Sequence, residues 1–443
     1  MTFSTFSEQR FFAYPNKHSI KGVVVNANMV AYAPDGLAVF LMERTANPTY
    51  IIDPQTHAFQ HDPAAIRNKE GEVKSSIHSL SQHLGEPVAS CVIDERPLRP
   101  ADFTDDAILK DFVGRCLTFQ RTALSVAMAQ CDANKYIAQT QQQLEPYALL
   151  SPYFYLTERS APEWLPVCLR LAQAAADAKN HNKLYVPLVL NKAALVNTAI
   201  RSAIAARFKN INCDGFTIWI DDLNEHESSS TLLTAFRNLA LQLRANGARD
   251  VLNLHGGYFS ILAGSALGNN AFSGVAHGPE FGEFRSVVPV GGGIPIARYY
   301  VPQLHTRIRY REAADMFRRK GWLKTAAAFH ENVCSCEICK SVIDGDPGNF
   351  VKFGASNAKL VKRGRGYVRM DFPTTQTKEN CLCHYLERKH LEYAASAAGD
   401  AQLIADLDKG IADFEGTFGS EAVEHLYTWK RVFRPTPEAD LGI

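Results

Sequence analysis

Leu184-Tyr-Val-Pro-Leu-Val-Leu190 and Gly215-Phe-Thr-Ile-Trp-Ile220, with the helix-prone Ala193 to Phe208 between them, decide the fold. Strand, helix and strand in this order form a parallel unit with a right-handed crossover. The rhythm extends in both directions. Tyr153-Phe-Tyr-Leu156 precedes Trp164 to Ala178, the Gly215 run precedes Leu232 to Ala245, and Val251 to Leu254 precedes another short helix. Phe272-Ser-Gly-Val-Ala276, Ala297 to Val301 and Ala326-Ala-Ala-Phe329 offer three further strands, and Thr49-Tyr-Ile-Ile52 offers the first. Eight such strands predict an α/β fold, a (β/α)8 TIM-like barrel over residues 49–333. A polar, helical stretch at about 62–144, with Leu117 to Met128 its amphipathic part, reads as an insertion. An open doubly wound sheet competes, but no Gly-x-Gly-x-x-Gly turn follows the first strand.

Ahead of the barrel, residues 1–48 read as a small strand unit. Gly22 to Val30 and Leu37 to Met42 are apolar runs on either side of Pro34-Asp-Gly36, whose Asp-Gly pair predicts a hairpin. Behind it, residues 391–443 read as an amphipathic helical segment with Leu403, Ile404, Leu407 and Ile411 on one side. Such a face serves packing, or an interface with a second copy or a partner subunit.

In a barrel of this kind the polar residues at strand C-terminal ends carry the chemistry. Asp53 ends the first strand, Asn191 the third, Asp221 and Asp222 the fourth, His255-Gly256-Gly257 the fifth, His277-Gly278-Pro-Glu280 the sixth and His330-Glu331 the eighth. Polar residues also cap ordinary strands, and two glycines can be only a packing corner. Convergent carboxylates, however, offer a nucleophile and a general base, and glycines beside them let a flat ligand touch backbone amides.

Cys334-Ser-Cys336-Glu-Ile-Cys339 packs three thiols into six residues, and Ser, Glu and Lys around them make a purely apolar packing role a poor alternative. Thiolates so spaced fit a tetrahedral zinc ion, and a fourth ligand closes a structural site. Downstream, Cys381-Leu-Cys383-His384 and His390 supply candidates, with His384 the first choice. Residues 334–390 then form a zinc-binding subdomain that pins a C-terminal segment to the larger body. The remaining cysteines, of ten in all, are scattered without a framework, which favours a reducing compartment over a disulfide scaffold.

The excursion from Cys339 to His384 is basic. Between Phe350 and Lys378, Lys352, Lys359, Lys362, Arg363, Arg365, Arg369 and Lys378 interleave with Phe353, Tyr367 and Phe372 against one acid, Asp371. Cations pair with phosphates and rings stack on unpaired bases, so Lys362, Arg363 and Arg365 are candidate nucleic-acid contacts; a solvated hairpin is the bland reading. Net charge over 443 residues is only +1, so any such surface is local. The first residues carry no long apolar core, which predicts a cytoplasmic protein with no membrane segment.

Taken in order, these segments resemble the tRNA-guanine transglycosylases and their relatives that insert deazaguanines into DNA. Ile52-Asp53-Pro-Gln-Thr-His-Ala-Phe59 is similar to the family's Asp-Ser-Gly-Gly-Phe-Gln segment, and Phe216 to Asp222 to the strand whose terminal aspartate reads the base edge. Leu254-His-Gly256-Gly257 resembles a Gln-Gly-Gly loop, with His255 where glutamine is usual. Gly274-Val-Ala-His-Gly278-Pro-Glu-Phe-Gly282-Glu283 resembles the Gly-rich base-binding strand, Arg298-Tyr-Tyr-Val301 the next strand, and Cys334 to Cys339 the zinc motif. The resemblance implies a base exchange at the sugar C1′, replacing guanine by a 7-deazaguanine in tRNA or DNA. Asp53 would be its acid/base, and Asp221, Asp222, His255, Gly256, Gly257 and Gly278 would line the base pocket. Where the family carries an Asp-x-Phe-Asp strand this chain has Phe329-His-Glu331-Asn, which offers Glu331 as nucleophile. The alternative is a catalytically inactive barrel that binds nucleic acid. A metal-dependent hydrolase would need an open metal position, which a Cys3His set lacks.

Overall fold

A computed structural model describes residues 21–44, 49–130, 144–278, 283–288, 296–364 and 366–433, with the backbone of 2–3. It is a mixed α/β fold with a C-terminal helical segment. The strands are β1 (Thr2–Phe3), β2 (Val23–Asn26), β3 (Tyr50–Asp53), β4 (Leu149–Leu150), β5 (Tyr155–Leu156), β6 (Leu184–Leu190), β7 (Gly215–Ile220), β8 (Asp250–Asn253), β9 (Gly274–Val275), β10 (Arg298–Val301), β11 (Thr306–Arg309), β12 (Ser356–Arg363) and β13 (Gly366–Pro373).

One parallel sheet runs β1-β2-β3 and another β4-β6-β7-β8-β9, with β5 paired to the far end of β6. The two lie side by side, because the Tyr147 amide donates to the Tyr50 carbonyl at 2.8 Å. Side chains alternate along each strand. Val23, Val25, Tyr50, Ile52, Val186, Leu188, Leu190, Phe216 and Ile218 join the helices in the main core. Their neighbours face the other way and meet in two inner clusters. Ile51, Ala148, Leu150 and Tyr185 form one, and Val24, Tyr153, Val189, Trp219, Leu254, Ala276 and Val287 the other. Strands buried on both faces need this continuous apolar composition, as parallel sheets usually do.

The helix Asp106–Gln130 is the crossover from β3 to β4. Its Gln120 amide group exchanges two 2.8 Å hydrogen bonds with the Leu150 backbone, which holds the helix against the strand. Residues 131–143 of the expected insertion lie outside the described residues.

Three strand expectations are corrected. Pro34-Asp-Gly36 opens the helix Pro34–Arg44 instead of turning a hairpin. Proline at the first helical position is pre-set for a helix, and Leu37, Ala38 and Leu41 fall on its buried face. Ala326–Asn332 is a helix, capped by the Thr325 hydroxyl accepting from the Ala328 amide at 3.1 Å. Consecutive alanines favour it. Finally, β10 pairs antiparallel with β11, apart from the parallel path. Among the described residues, then, no pairing between β9 and β1 closes the parallel path.

The C-terminal helices Thr375–Ala398, Asp400–Phe418 and Glu424–Phe433 pack on the body. Leu403, Leu407 and Ile411 are buried, and the Trp429 indole donates to the Glu225 carbonyl at 3.0 Å. No described helix is long and apolar enough to cross a membrane.

Candidate functional site

Cys334, Cys336, Cys339 and His384 are all buried, and their ligand atoms lie within 4.8 Å of one another. His384 Nδ1 stands 3.4 Å from the sulfurs of Cys336 and Cys339 and 3.9 Å from that of Cys334. Atoms around a tetrahedral ion with bonds of about 2.0 to 2.3 Å are spaced roughly 3.5 Å apart, so the geometry suits a metal. The tautomer suits it too. His384 Nε2 donates to the Tyr300 carbonyl at 2.8 Å, which leaves Nδ1 bare toward the thiols. Tyr299 stacks on the imidazole at 4.3 Å between centroids, and its hydroxyl sits 3.2 Å from the Cys339 sulfur. Of the other candidate fourth ligands, His390 is exposed and Cys381 turns its thiol to the Phe353 carbonyl at 3.3 Å. Cys383 is buried outside the group of four.

The second cluster lies at the strand ends. Asp53 is buried, accepting from the Tyr153 hydroxyl at 2.7 Å and from the Gln55 amide at 3.1 Å. Burial pushes its carboxyl above the ordinary range, against the pull of those two donors and of Arg285. The turn after it is stitched to the neighbouring segment, since the Thr56 hydroxyl bonds both amide and carbonyl of Tyr153. His57 stacks on Tyr153 at 5.3 Å and meets Trp219 edge-on at 5.2 Å, and Trp219 meets His255 at 4.8 Å. Burial pushes both imidazoles down to about 3, so they are neutral. Asp221 accepts from the Tyr155 hydroxyl at 2.6 Å and from the Val287 amide at 2.8 Å. The segment around Arg285 and Val287 thus covers these ends, for the Trp219 indole donates to the Arg285 carbonyl at 3.0 Å. A cleft of about 670 Å³ lies elsewhere, against the helices Pro34–Arg44 and Asp106–Gln130.

A third group joins the two. Gly256 and Gly257 sit in close quarters: a Cβ would meet Asn253 Nδ2 at 2.3 Å in the first case and Glu283 Oε2 at 2.7 Å in the second, so those side chains would have to shift. Glu225 is buried beside them, bonded to the Ser260 hydroxyl and, at 3.3 Å, to its amide. Burial pushes its carboxyl up to about 7, and the neighbouring Glu283 adds to the rise. Glu283 accepts from Tyr385 at 2.9 Å and pairs with the buried Lys389 at 2.9 Å. Lys389 also pairs with the buried Glu392 at 3.0 Å, which in turn holds His305 at 2.9 Å. His384, Tyr385, Lys389 and Glu392 all belong to the helix Thr375–Ala398.

The structure therefore links Asp53, through Tyr153 and His57, and His255 to the Trp219 ring, with Asp221 at the end of the same strand. Asp222 is exposed, its ammonium partner Lys192 at 3.9 Å, and the Gly278 carbonyl accepts from Arg307 at 3.0 Å. Glu331 is exposed on the helix Ala326–Asn332, not at a strand end. Lys362 is exposed on the ribbon of β12 and β13; Arg365, Pro279 and Glu280 lie outside the described residues, as does the Arg363 side chain. His57, Tyr153, Arg285 and Glu225 were not singled out from sequence. Trp219 could have been, because it lies two residues before Asp221 and so faces the same way. Comparison with known family models, curated proteins and solved structures finds no match to this chain.

Proposed function

We propose that the chain is a zinc-containing, transglycosylase-like protein that exchanges a guanine-type base in nucleic acid, with its parallel strands forming the greater part of a barrel wall. The observation that carries this reading is the cluster at the C-terminal ends of β3, β7 and β8, in which Asp53 accepts from Tyr153, His57 bridges Tyr153 to the Trp219 ring, His255 meets that ring and Asp221 accepts from Tyr155. A flat base needs an aromatic floor and an acid to read its edge, and this cluster has both. His57 Nδ1, in this cluster, is buried without a hydrogen-bond partner among the described residues, which suits a polar ligand. The inner clusters that join β2 to β9 support the barrel. The Cys3His donor set is a closed site typical of structural zinc, an ion that would fix the clip and supply no reaction step.

In this reading a carboxylate attacks the sugar C1′ and the C–N bond breaks as an acid protonates the leaving base. The incoming deazaguanine then displaces the carboxylate and gives up its ring proton. Asp53, held toward its neutral form by burial, suits the proton-transferring role. The segment from Glu283 to Val288 has to move off Asp221 to admit a base. Incubating the protein with tRNA or DNA and labelled guanine tests the proposal. Incorporation that Asp53→Asn abolishes, with binding retained, supports it; no incorporation into either nucleic acid removes the enzymatic reading.

One observation favours a second reading. Glu331, the nucleophile offered by the resemblance, is exposed on a helix, which fits a nucleic-acid-binding relative without covalent chemistry. A covalent adduct trapped with a deazaguanine analogue, and lost in Glu331→Gln, would overturn it.

A further inference from the structure

The strands β12 and β13 form an eight-pair antiparallel ribbon, from Ser356 opposite Pro373 to Arg363 opposite Gly366. Among the described residues nothing covers it, and Asn357, Ala358, Lys359, Leu360, Lys362, Tyr367, Val368, Arg369 and Asp371 are exposed. Opposed residues share a face. Leu360 with Arg369 and Lys362 with Tyr367 therefore lie on one side, and Lys359 with Met370 on the other, where the Lys359 ammonium stands 5.7 Å from the Phe372 ring. A ribbon of this size is marginal alone, and it presents Leu360 at 72% and Tyr367 at 69% exposure.

We propose, resting on the nucleic-acid half of the function above, that this ribbon is an arm that lies in the major groove of B-form DNA. Eight residues at about 3.3 Å each span roughly 26 Å, and a two-stranded ribbon fits a groove about 12 Å wide. Cations on both faces suit a slot with phosphates on both walls, and Asp371 is the one acid among the exposed ribbon residues. A platform for single strands would instead set several rings on one supported face. Here Tyr367 is the one exposed ring. The major groove of A-form RNA is too deep and narrow to admit the arm.

Binding of the full chain to a DNA duplex, the matching RNA duplex and a single strand tests the arm, with Lys359→Ala/Lys362→Ala/Arg369→Ala and Tyr367→Ala as variants. Circular dichroism and metal content check that each variant is folded. The DNA duplex should bind tightest, the triple variant should lose about tenfold or more, and its log–log salt slope should fall by roughly 2 to 3. Wild-type affinity in the triple variant, preference for RNA or single strands, or no binding at all each overturns the arm. Base incorporation is scored separately. Exchange with ribbon-independent binding sinks only the arm, while ribbon-dependent binding without exchange sinks only the enzymatic reading.

Discussion

The metal clip and the strand-end cluster are built in opposite ways. In the clip, three ligands come from six consecutive residues and the fourth from one helix, so local chain geometry does most of the work. At the strand ends, Asp53, Tyr153, Trp219 and His255 are separated by whole helices, and only the parallel sheet brings them together. One helix serves both, since Thr375–Ala398 carries His384 into the clip and Lys389 toward the glycine corner. A local site depends on its ion, whereas a distributed site depends on the packing of the whole sheet.

The largest effect should come from the clip. Structural zinc contributes about 10 kcal/mol or more in small domains, comparable to the net stability of a whole domain. Purified protein should contain about one metal per chain, and Cys336→Ala or His384→Ala should lose it with a large drop in melting temperature. His390→Ala and Cys383→Ala should keep it. A melt that is unchanged after chelation would break the comparison at its root.

Next comes the link between the regions. Lys389→Met leaves the buried Glu392 and the partly exposed Glu283 without this cation, and losing one partner of a buried pair typically costs about 3–5 kcal/mol. Denaturant unfolding measures it. The acid side carries its own signature. Lys389 and His305 hold the Glu392 carboxyl below the ordinary range against its burial, so that stability is present above the unfolded pKa near 4.3 and fades as pH falls through the folded value. A cost under 1 kcal/mol would mean the two regions are not joined through this network.

What could be read from the sequence follows the same division. The cysteines announced themselves because ligand spacing is a local signal, and Asp53 and Asp221 because each ends an apolar run. The bonding of Glu225, Glu283, Lys389 and Glu392 was not legible, since charged residues are ordinarily exposed and their partners here are set by tertiary packing. The Pro34-Asp-Gly36 turn misled for another reason: Asp-Gly marks hairpins, but a proline followed by an acid also begins helices. Ala326 to Phe329 was placed by counting strands, against its own helix propensity.

A smaller effect belongs to the glycine corner between the two regions. Glu225 is raised from 4.5 to about 7, so folding is penalised as it ionises: the penalty is absent below about 4.5 and complete above about 7. Its full size is on the order of 3 kcal/mol. Glu225→Gln should therefore gain stability relative to wild type as pH rises through this window, with metal content unchanged. Parallel pH profiles for the two proteins would show that Glu225 carries no such penalty.

The smallest expected effect is the most local. Trp219→Phe removes the indole donor to the Arg285 carbonyl, but that carbonyl also accepts from the Asp222 amide at 3.0 Å, so it is not orphaned. What remains is one lost hydrogen bond and a modest loss of ring volume, together about 1–2 kcal/mol. The change should be felt where the segment over the strand ends is fastened. Hydrogen exchange at the Val287 amide, held by Asp221 at 2.8 Å, should quicken, while the Cys339 amide, 3.4 Å from the Cys336 sulfur, keeps its protection. Because the two amides report on the two regions in one experiment, equal acceleration at both would show that sheet and clip open as a single unit, and the contrast between a local and a distributed site would fail.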